Sequence, residues 1–337
     1  MSLLPYLARV VDRQDLTPDD ADAAMQIILS GDATHAQIAA FLTALKMKGE
    51  TSDELVGFAR AMRRMAAPIR HGLNGQTLLD TCGTGGDGSE TFNISTIAAF
   101  VVAGAGVHVA KHGNRSISSR CGSADLLETW GISIATTPEE TARAIREVGI
   151  GFLFAPAVHT AMKHAQPVRT ELKMRTVFNL LGPLTNPSGA NTQLAGAPSE
   201  RAAELIAGAL ASLGLKRGFV VHGSDGLDEI TTTGPTTAWE IRGGRAERHT
   251  LEPGDFGLAR ARSEELKGGD RQQNREIADA VLSGASGPQR DIVLANSAAA
   301  LVAAERAENF LAGVAIAGAA IDSGAAKAKV VELARFR

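Results

Sequence analysis

The stretch Leu78-Leu79-Asp80-Thr81-Cys82-Gly83-Thr84-Gly85-Gly86-Asp87-Gly88 does most to narrow what this chain can fold into. Its short apolar run, the glycines after it and the apolar segment Ile94 to Phe100 read as a strand, a tight loop and the start of a helix. Four glycines within six residues let the backbone take positive φ and approach a ligand that a Cβ would hold off. Backbone N–H groups converge in such a loop, which makes it an anion site, and the fitting ligand is a phosphate or pyrophosphate.

Two familiar phosphate loops are excluded by what is missing. Gly83, Gly85 and Gly88 satisfy G-x-G-x-x-G, but a dinucleotide site also needs an acidic residue about 20 residues on. Val101 to Val109 holds no carboxylate, and no Gly-Lys-Ser/Thr closes the loop as a P-loop requires. Asp87 instead lies inside the loop. A carboxylate beside a phosphate repels it unless it takes sugar hydroxyls or a metal bridges the two, so a sugar phosphate with Mg²⁺ is expected.

Ahead of this loop, residues 3 to 66 read as consecutive amphipathic helices. Thr17-Pro18-Asp19-Asp20 supplies a cap, a first-turn proline and acids, Thr34 opens the next helix, and Thr51 with Glu54 forms a capping box. Apolar residues on more than one face of so small a unit call for a cover, either the same chain or a second subunit. From Gln76 onward the strand candidates Leu78 to Thr81, Val107 to Lys111, Gly151 to Ala155, Gln193 to Gly196 and Gly218 to His222 alternate with helices. That order predicts a mostly parallel sheet with ligands at the carboxyl ends of its strands. Trp239 to Ile241 and Glu247 to Thr250 read as a hairpin, and the tail from Ser263 as helical packing.

The charge balance is even, 34 Lys+Arg against 37 Asp+Glu for a net −3, so no global field recruits nucleic acid or an anionic membrane. The longest apolar runs fall short of the ~18 residues of a membrane helix. Two cysteines, Cys82 and Cys121, are too few for a disulfide framework and point to a cytoplasmic protein.

Three more loops, each near a predicted strand end, carry matching chemistry. Lys111-His112-Gly113-Asn114-Arg115-Ser116-Ile117-Ser118-Ser119-Arg120 offers cations, hydroxyls and an amide for a multiply charged pyrophosphate. Asp225-Gly226-Leu227-Asp228-Glu229 offers adjacent carboxylates suited to Mg²⁺. Arg169, ahead of Gly182-Pro183, can take a substrate carboxylate in a bidentate pair.

The run Asp80 to Gly88, Asn93-Ile94-Ser95-Thr96, Lys111 to Ser116, Gly122-Ser123-Ala124-Asp125, Arg175 to Pro187 and Asp225 to Glu229 together resemble the anthranilate phosphoribosyltransferase family, in order and over essentially the whole chain. The resemblance implies an α/β protein of nucleoside-phosphorylase type. Its small all-helical domain would span residues 1–68 with a returning segment near 160–185, and its large α/β domain, with a mostly parallel central sheet, residues 69–159 and 186–337. It implies a homodimer through the helical domains and transfer of phosphoribose from phosphoribosyl pyrophosphate to anthranilate in tryptophan biosynthesis.

Carried over by position, Gly83, Gly86, Asp87, Thr91, Asn93, Ile94, Ser95, Thr96, Lys111, Gly113, Arg115, Ser116, Ile117, Ser118, Ser119 and Ser123 would hold phosphoribosyl pyrophosphate. Ser95, Asp228 and Glu229 would serve Mg²⁺; Gly83, Asn114 and Arg169 would meet anthranilate, with His112 and Pro183 near its ring. Catalysis would rest on positioning and on stabilisation of departing pyrophosphate by Lys111, Arg115, loop amides and metal, with His112 as a base or merely a packed side chain. The family usually has glycine where this chain has Lys173, which bears on the geometry just after Arg169. Two readings on the same fold stay open beside this one, a pyrimidine nucleoside phosphorylase and a non-enzymatic nucleic-acid-binding relative.

Overall fold

Each of the second, third and fourth helices begins where a side chain replaces a missing backbone acceptor. In the computed structural model, which describes residues 2–86, 88–116 and 120–336, the N-terminal helices are Leu4–Val11, Pro18–Ser30, His35–Lys48 and Ser52–Met65. Thr17 caps the second, and Thr34 with Gln37 and Thr51 with Glu54 form capping boxes on the third and fourth. Glu54 is fully buried and also accepts the Leu16 amide at 3.0 Å and the Lys48 ammonium at 3.0 Å, so one carboxylate ties its own helix to two other stretches of the layer. The Phe41 and Phe58 rings meet edge to face within this layer.

Beyond it lies one seven-stranded sheet, β1 (Leu78–Asp80), β2 (His108–Gly113), β3 (Ile150–Phe154), β4 (Thr192–Gly196), β5 (Arg217–Gly223), β6 (Thr236–Arg242) and β7 (Arg245–Leu251). The order is β3-β2-β1-β4-β5-β6-β7, with β1 to β5 parallel and β6 and β7 added as an antiparallel hairpin. All five parallel strands and the hairpin lie where the hydrophobic pattern predicts them, with ends shifted by a few residues.

Neighbouring residues of each strand enter different cores, as strand geometry requires. Leu79, Val109, Leu194 and Phe219 join a cluster with the helices Ile94–Gly104, Pro288–Ala303 and Phe310–Asp322. Ala195 and Val220 join a cluster with the helix Glu200–Ser212, the N-terminal helices, and Val168, Phe178 and Leu181 of the returning segment. The protein is thus a small helical N-terminal domain against a larger α/β domain, with residues 165–184 sharing the helical layer's core. The order of strands reverses direction between β1 and β4, a switch point where loops from both sides leave a crevice at the carboxyl ends. Among the described residues no single helix is long and apolar enough to cross a membrane.

Candidate active site

The glycine loop leaves β1 at this switch point and is bonded from three directions. Thr84 N–H donates to Gly196 O at the end of β4, at 3.0 Å. Gly85 N–H donates to Asp228 Oδ2 at 2.7 Å. Arg175, in the connection between the helices Gln166–Leu172 and Phe178–Leu181, donates to Gly86 O at 2.7 Å and Gly85 O at 3.1 Å. Two of the loop amides expected to face an anion are therefore already engaged within the chain. A Cβ on Gly196 would lie 1.6 Å from the Asp228 carbonyl oxygen, so close approach of two backbones requires that glycine, and one on Gly83 would lie 2.6 Å from Asp228 Oδ2 and displace the carboxylate.

Asp228 and Glu229, the two carboxylates expected for Mg²⁺, follow β5; Asp228 reaches the loop at Gly85, and both act electrostatically on Lys111. Ser95, in the first turn of the helix Ile94–Gly104, adds a hydroxyl. Ile94 itself is fully buried in the larger core, so its side chain packs rather than meeting a ligand, and its amide turns back onto Phe92 O. Thr96 is buried, and Thr91 makes an isolated bridge with Lys267. Asn93 spends its side-chain amide inside the chain, donating to Cys121 O and accepting from Asn274, both at 3.0 Å. Asp87, Ile117, Ser118 and Ser119 lie outside the described residues.

The basic segment after β2 divides into an inner and an outer part. Lys111 is inner: 4 % exposed, its Nζ donates to Thr81 O at 2.9 Å and Thr81 Oγ1 at 3.2 Å, and burial lowers its pKa against the pull of Asp80. It braces the end of β1 beneath the glycine loop instead of projecting outward. Arg115 is outer and forks onto Glu128 at 2.7 and 2.6 Å while reaching Asp125 at 3.1 Å, contacts that raise its pKa. Arg271 joins the same carboxylates, 2.6 Å from Asp125. Ser123 Oγ ties down the Asn114 backbone, accepting its amide at 3.2 Å and donating to its carbonyl at 3.1 Å. Gly113 packs against Ser123 and the Phe152 ring with no room for a side chain, and Ser116 N–H donates to Asp125 at 3.3 Å.

A buried polar core beneath these loops is absent from the sequence reading. Asp80 has no exposure; it accepts His112 N–H at 3.0 Å and Asn186 Nδ2 at 2.8 Å. Burial pushes its carboxyl up to about 6, while Asn186, the His112 amide and Lys111 favour the ionised form. Donor atoms of Asp80, Cys82 and His112 lie within 4.8 Å of one another, the spacing of a metal cluster. The carboxylate is already hydrogen-bonded, the Cys82 thiol is held protonated by burial, and the Lys111 charge lies close, so the trio serves as a packed polar core and not a cation site. The chain does carry a signal for it: a lone aspartate inside an apolar strand must find partners.

On the acceptor side, His112 Nδ1 donates to Gly182 O at 3.1 Å, which leaves Nε2 as a lone-pair acceptor. Its ring meets His159 at 5.2 Å, and neither Nε2 has a partner among the described residues. Burial lowers His112 to about 3 and His159 to about 4, so both are neutral near pH 7. Pro183 is buried and its carbonyl accepts Gln193 Nε2 at 2.8 Å. Arg169 lies over the Phe178 ring at 5.3 Å and reaches Gln166 at 3.3 Å, with burial lowering its pKa. Lys173 caps the helix Gln166–Leu172 in the left-handed region, φ +48, which gives the physical reason a glycine suits this position.

Comparison with known proteins agrees along the whole length. Residues 75–327 match the family described as "Glycosyl transferase family, a/b domain", and residues 4–66 match "Glycosyl transferase family, helical bundle domain". The anthranilate phosphoribosyltransferase of Solibacter usitatus is 74 % identical over 100 % of this chain and 99 % of its own. That of Moorella thermoacetica is 55 % identical over 97 % and 96 %. The crystal structure of anthranilate phosphoribosyltransferase from Thermus thermophilus superposes with a TM-score of 0.92 at 42 % identity, covering 98 % of both chains. The Saccharomyces cerevisiae enzyme in complex with PRPP and Mg gives 0.89 at 30 %, over 98 % of this chain and 96 % of that one.

Proposed function

This chain belongs to the anthranilate phosphoribosyltransferase family of glycosyltransferases, and from that premise we propose how its residues divide the work of the reaction. The enzyme transfers the phosphoribosyl group of 5-phosphoribosyl 1-pyrophosphate to the amino group of anthranilate, giving N-(5-phosphoribosyl)anthranilate and pyrophosphate in tryptophan biosynthesis. The relatives favour this reaction over nucleoside phosphorolysis or nucleic-acid binding.

The observation that carries the assignment is the meeting, at one switch point, of the glycine loop, the Asp228-Glu229 carboxylates and the segment bearing Arg169 and Arg175. Gly83, Gly86 and Asp87, with Thr91, Asn93, Ser95, Thr96 and the basic segment from Lys111 through Ser119 and Ser123, are assigned to phosphoribosyl pyrophosphate. Ile94 contributes backbone only, since its side chain is in the core. Gly83, Asn114 and Arg169 are assigned to anthranilate, with His112 and Pro183 against its ring.

The donor set fits Mg²⁺. Asp228 Oδ2 lies against the loop, the hard oxygens of Glu229 and Ser95 are assigned with it, and the Asp80 carboxylate is already engaged by His112 and Asn186. When bound, Mg²⁺ neutralises the pyrophosphate and makes it a better leaving group.

The chain's own residues do the rest. The loop and Arg115 orient the C1′–O bond that breaks, while Arg169 holds the anthranilate carboxylate so that its amine faces C1′ as the C1′–N bond forms. Loop amides and nearby cations stabilise charge on the leaving pyrophosphate. Lys111 acts from beneath, holding Thr81 and lending its charge to the loop. His112, its Nδ1–H held on Gly182 O and its ring kept neutral by burial, is assigned to pack against the anthranilate ring, and the proton the amine releases passes to water or to the departing pyrophosphate.

The same reading assigns residues 1–68 with 160–185 to the helical domain and 69–159 with 186–337 to the α/β domain. It assigns a homodimer through the N-terminal helices, where Leu4, Val11 and Met47 are exposed, and a cytoplasmic location consistent with two cysteines that form no disulfide. The test follows anthranilate fluorescence with purified enzyme, phosphoribosyl pyrophosphate and Mg²⁺, with EDTA in a parallel sample. Mg²⁺-dependent loss with equimolar pyrophosphate release is expected; no loss, with thymidine cleaved by phosphate, would overturn the assignment.

A further inference from the structure

We propose that Arg175 is a positioning residue for the transfer. Its guanidinium sets the shape in which the glycine loop receives pyrophosphate, and it ties that loop to the segment that holds the acceptor. The inference rests on the assignment of the glycine loop to phosphoribosyl pyrophosphate. Arg175 donates from Nη1 to Gly86 O at 2.7 Å and from Nη2 to Gly85 O at 3.1 Å, one planar fork on two successive carbonyls. Gly85 and Gly86 both have positive φ, +64 and +71, in a run whose glycines leave many other conformations open. A loop left to wander must be ordered when its ligand arrives, and that ordering weakens binding.

The direction of the hold matters as much as its strength. In a trans peptide the C=O and the following N–H point opposite ways, so turning Gly85 O onto Arg175 turns Gly86 N–H away from it. Gly85 is held at both polar ends, its amide by Asp228 at 2.7 Å and its carbonyl by Arg175. Arg175 also stands six residues beyond Arg169, past the left-handed Lys173, and is half-buried. The loop for the donor substrate is therefore bolted to the segment assigned to the acceptor, across 89 and 90 residues of chain.

Arg175→Ala and Arg175→Lys test this through steady-state kinetics for both substrates and calorimetry with magnesium pyrophosphate as probe. In Arg175→Ala, the KM for phosphoribosyl pyrophosphate and the pyrophosphate Kd should each rise about tenfold, the part of the two lost charged hydrogen bonds that reaches the ligand through a looser loop. The anthranilate KM at saturating donor and the melting temperature should stay near wild type. Arg175→Lys, a point charge without the fork, should recover only part of the loss. Unchanged donor constants in the alanine variant, an equal rise for both substrates, or full recovery by lysine would each overturn the two-carbonyl hold. Should Arg175→Ala not fold, Arg175→Lys decides alone: donor constants raised severalfold support the proposal, and wild-type constants overturn it. Gly86→Ala in the wild-type background keeps the two ideas apart. Its φ of +71 resists a side chain, so undiminished donor binding there would reject the loop assignment itself, whatever Arg175 does.

Discussion

Asp228 accepts the Gly85 amide at 2.7 Å from a turn 143 residues later in the chain, so one carboxylate both shapes the glycine loop and stands at the mouth assigned to Mg²⁺. Asp228→Asn keeps the size and the acceptor oxygen but removes the charge. The Mg²⁺ concentration for half-maximal rate should rise about tenfold or more while the melting temperature barely moves. A titration of initial rate against Mg²⁺ checks it, and an unchanged midpoint would remove Asp228 from the metal set.

Arg169 over Phe178 predicts a graded pair of effects. Arg169→Ala should raise the anthranilate KM by roughly ten- to a hundredfold, with the donor KM within about threefold. Phe178→Leu, which removes only the aromatic face beneath the guanidinium, should raise the same constant a few fold. Equal losses for both substrates in Arg169→Ala would sink the carboxylate role.

Glu128 competes for Arg115 with whatever anion the loop binds. Glu128→Gln should lower the KM for phosphoribosyl pyrophosphate severalfold and make it more sensitive to added salt, as a freed arginine turns toward the ligand. Measuring that KM at two ionic strengths checks it; a raised KM would mean that the Arg115–Glu128 fork builds the site.

Lys173 at φ +48 carries strain that glycine would not. Lys173→Gly should stabilise the protein by about 0.5–1 kcal/mol, net of the greater freedom glycine has when unfolded. Urea denaturation reads the difference, and destabilisation would show that the lysine side chain makes a contact worth more than the strain.

His112 and His159 set an acid limit. Their folded pKa values, about 3 and about 4, lie below the ordinary 6.5, so the unfolded chain binds protons that the folded chain refuses. Their contribution is fully present above pH 6.5 and lost as pH falls through about 4 and then about 3. His159→Gln should flatten the fall in melting temperature between about pH 6.5 and 4; an unaltered slope would mean His159 becomes charged within the fold.

The elements are legible in the sequence because their causes are local. Thr51 with Glu54 is a capping box in the structure as in the sequence, and the strands follow short apolar runs. The placement of the glycine loop after β1 is legible for the same reason. Lys111 is not, because a strand residue's face depends on which neighbour the strand pairs with, and β2 turns this lysine inward under Thr81. Nor is Arg175, whose partners are backbone carbonyls 89 and 90 residues away that no side-chain pattern marks. Arg115 reads from sequence as a cation open to ligand because its rivals, Asp125 and Glu128, lie on the following helix and approach only once the loop folds back.

The core shared by the N-terminal helices and residues 165–184 has a topological consequence. A bundle entered by the chain once can be handed to a neighbouring copy by opening a single linker. This one is entered, left and entered again, so lending it out would mean withdrawing two separate stretches and rebuilding the sheet between them. Opening a single linker therefore moves only part of the bundle to another copy, and the rest of its core stays where it was built. The same threading means that cutting the chain after residue 66 does not release the bundle intact, because part of its filling stays with the larger fragment.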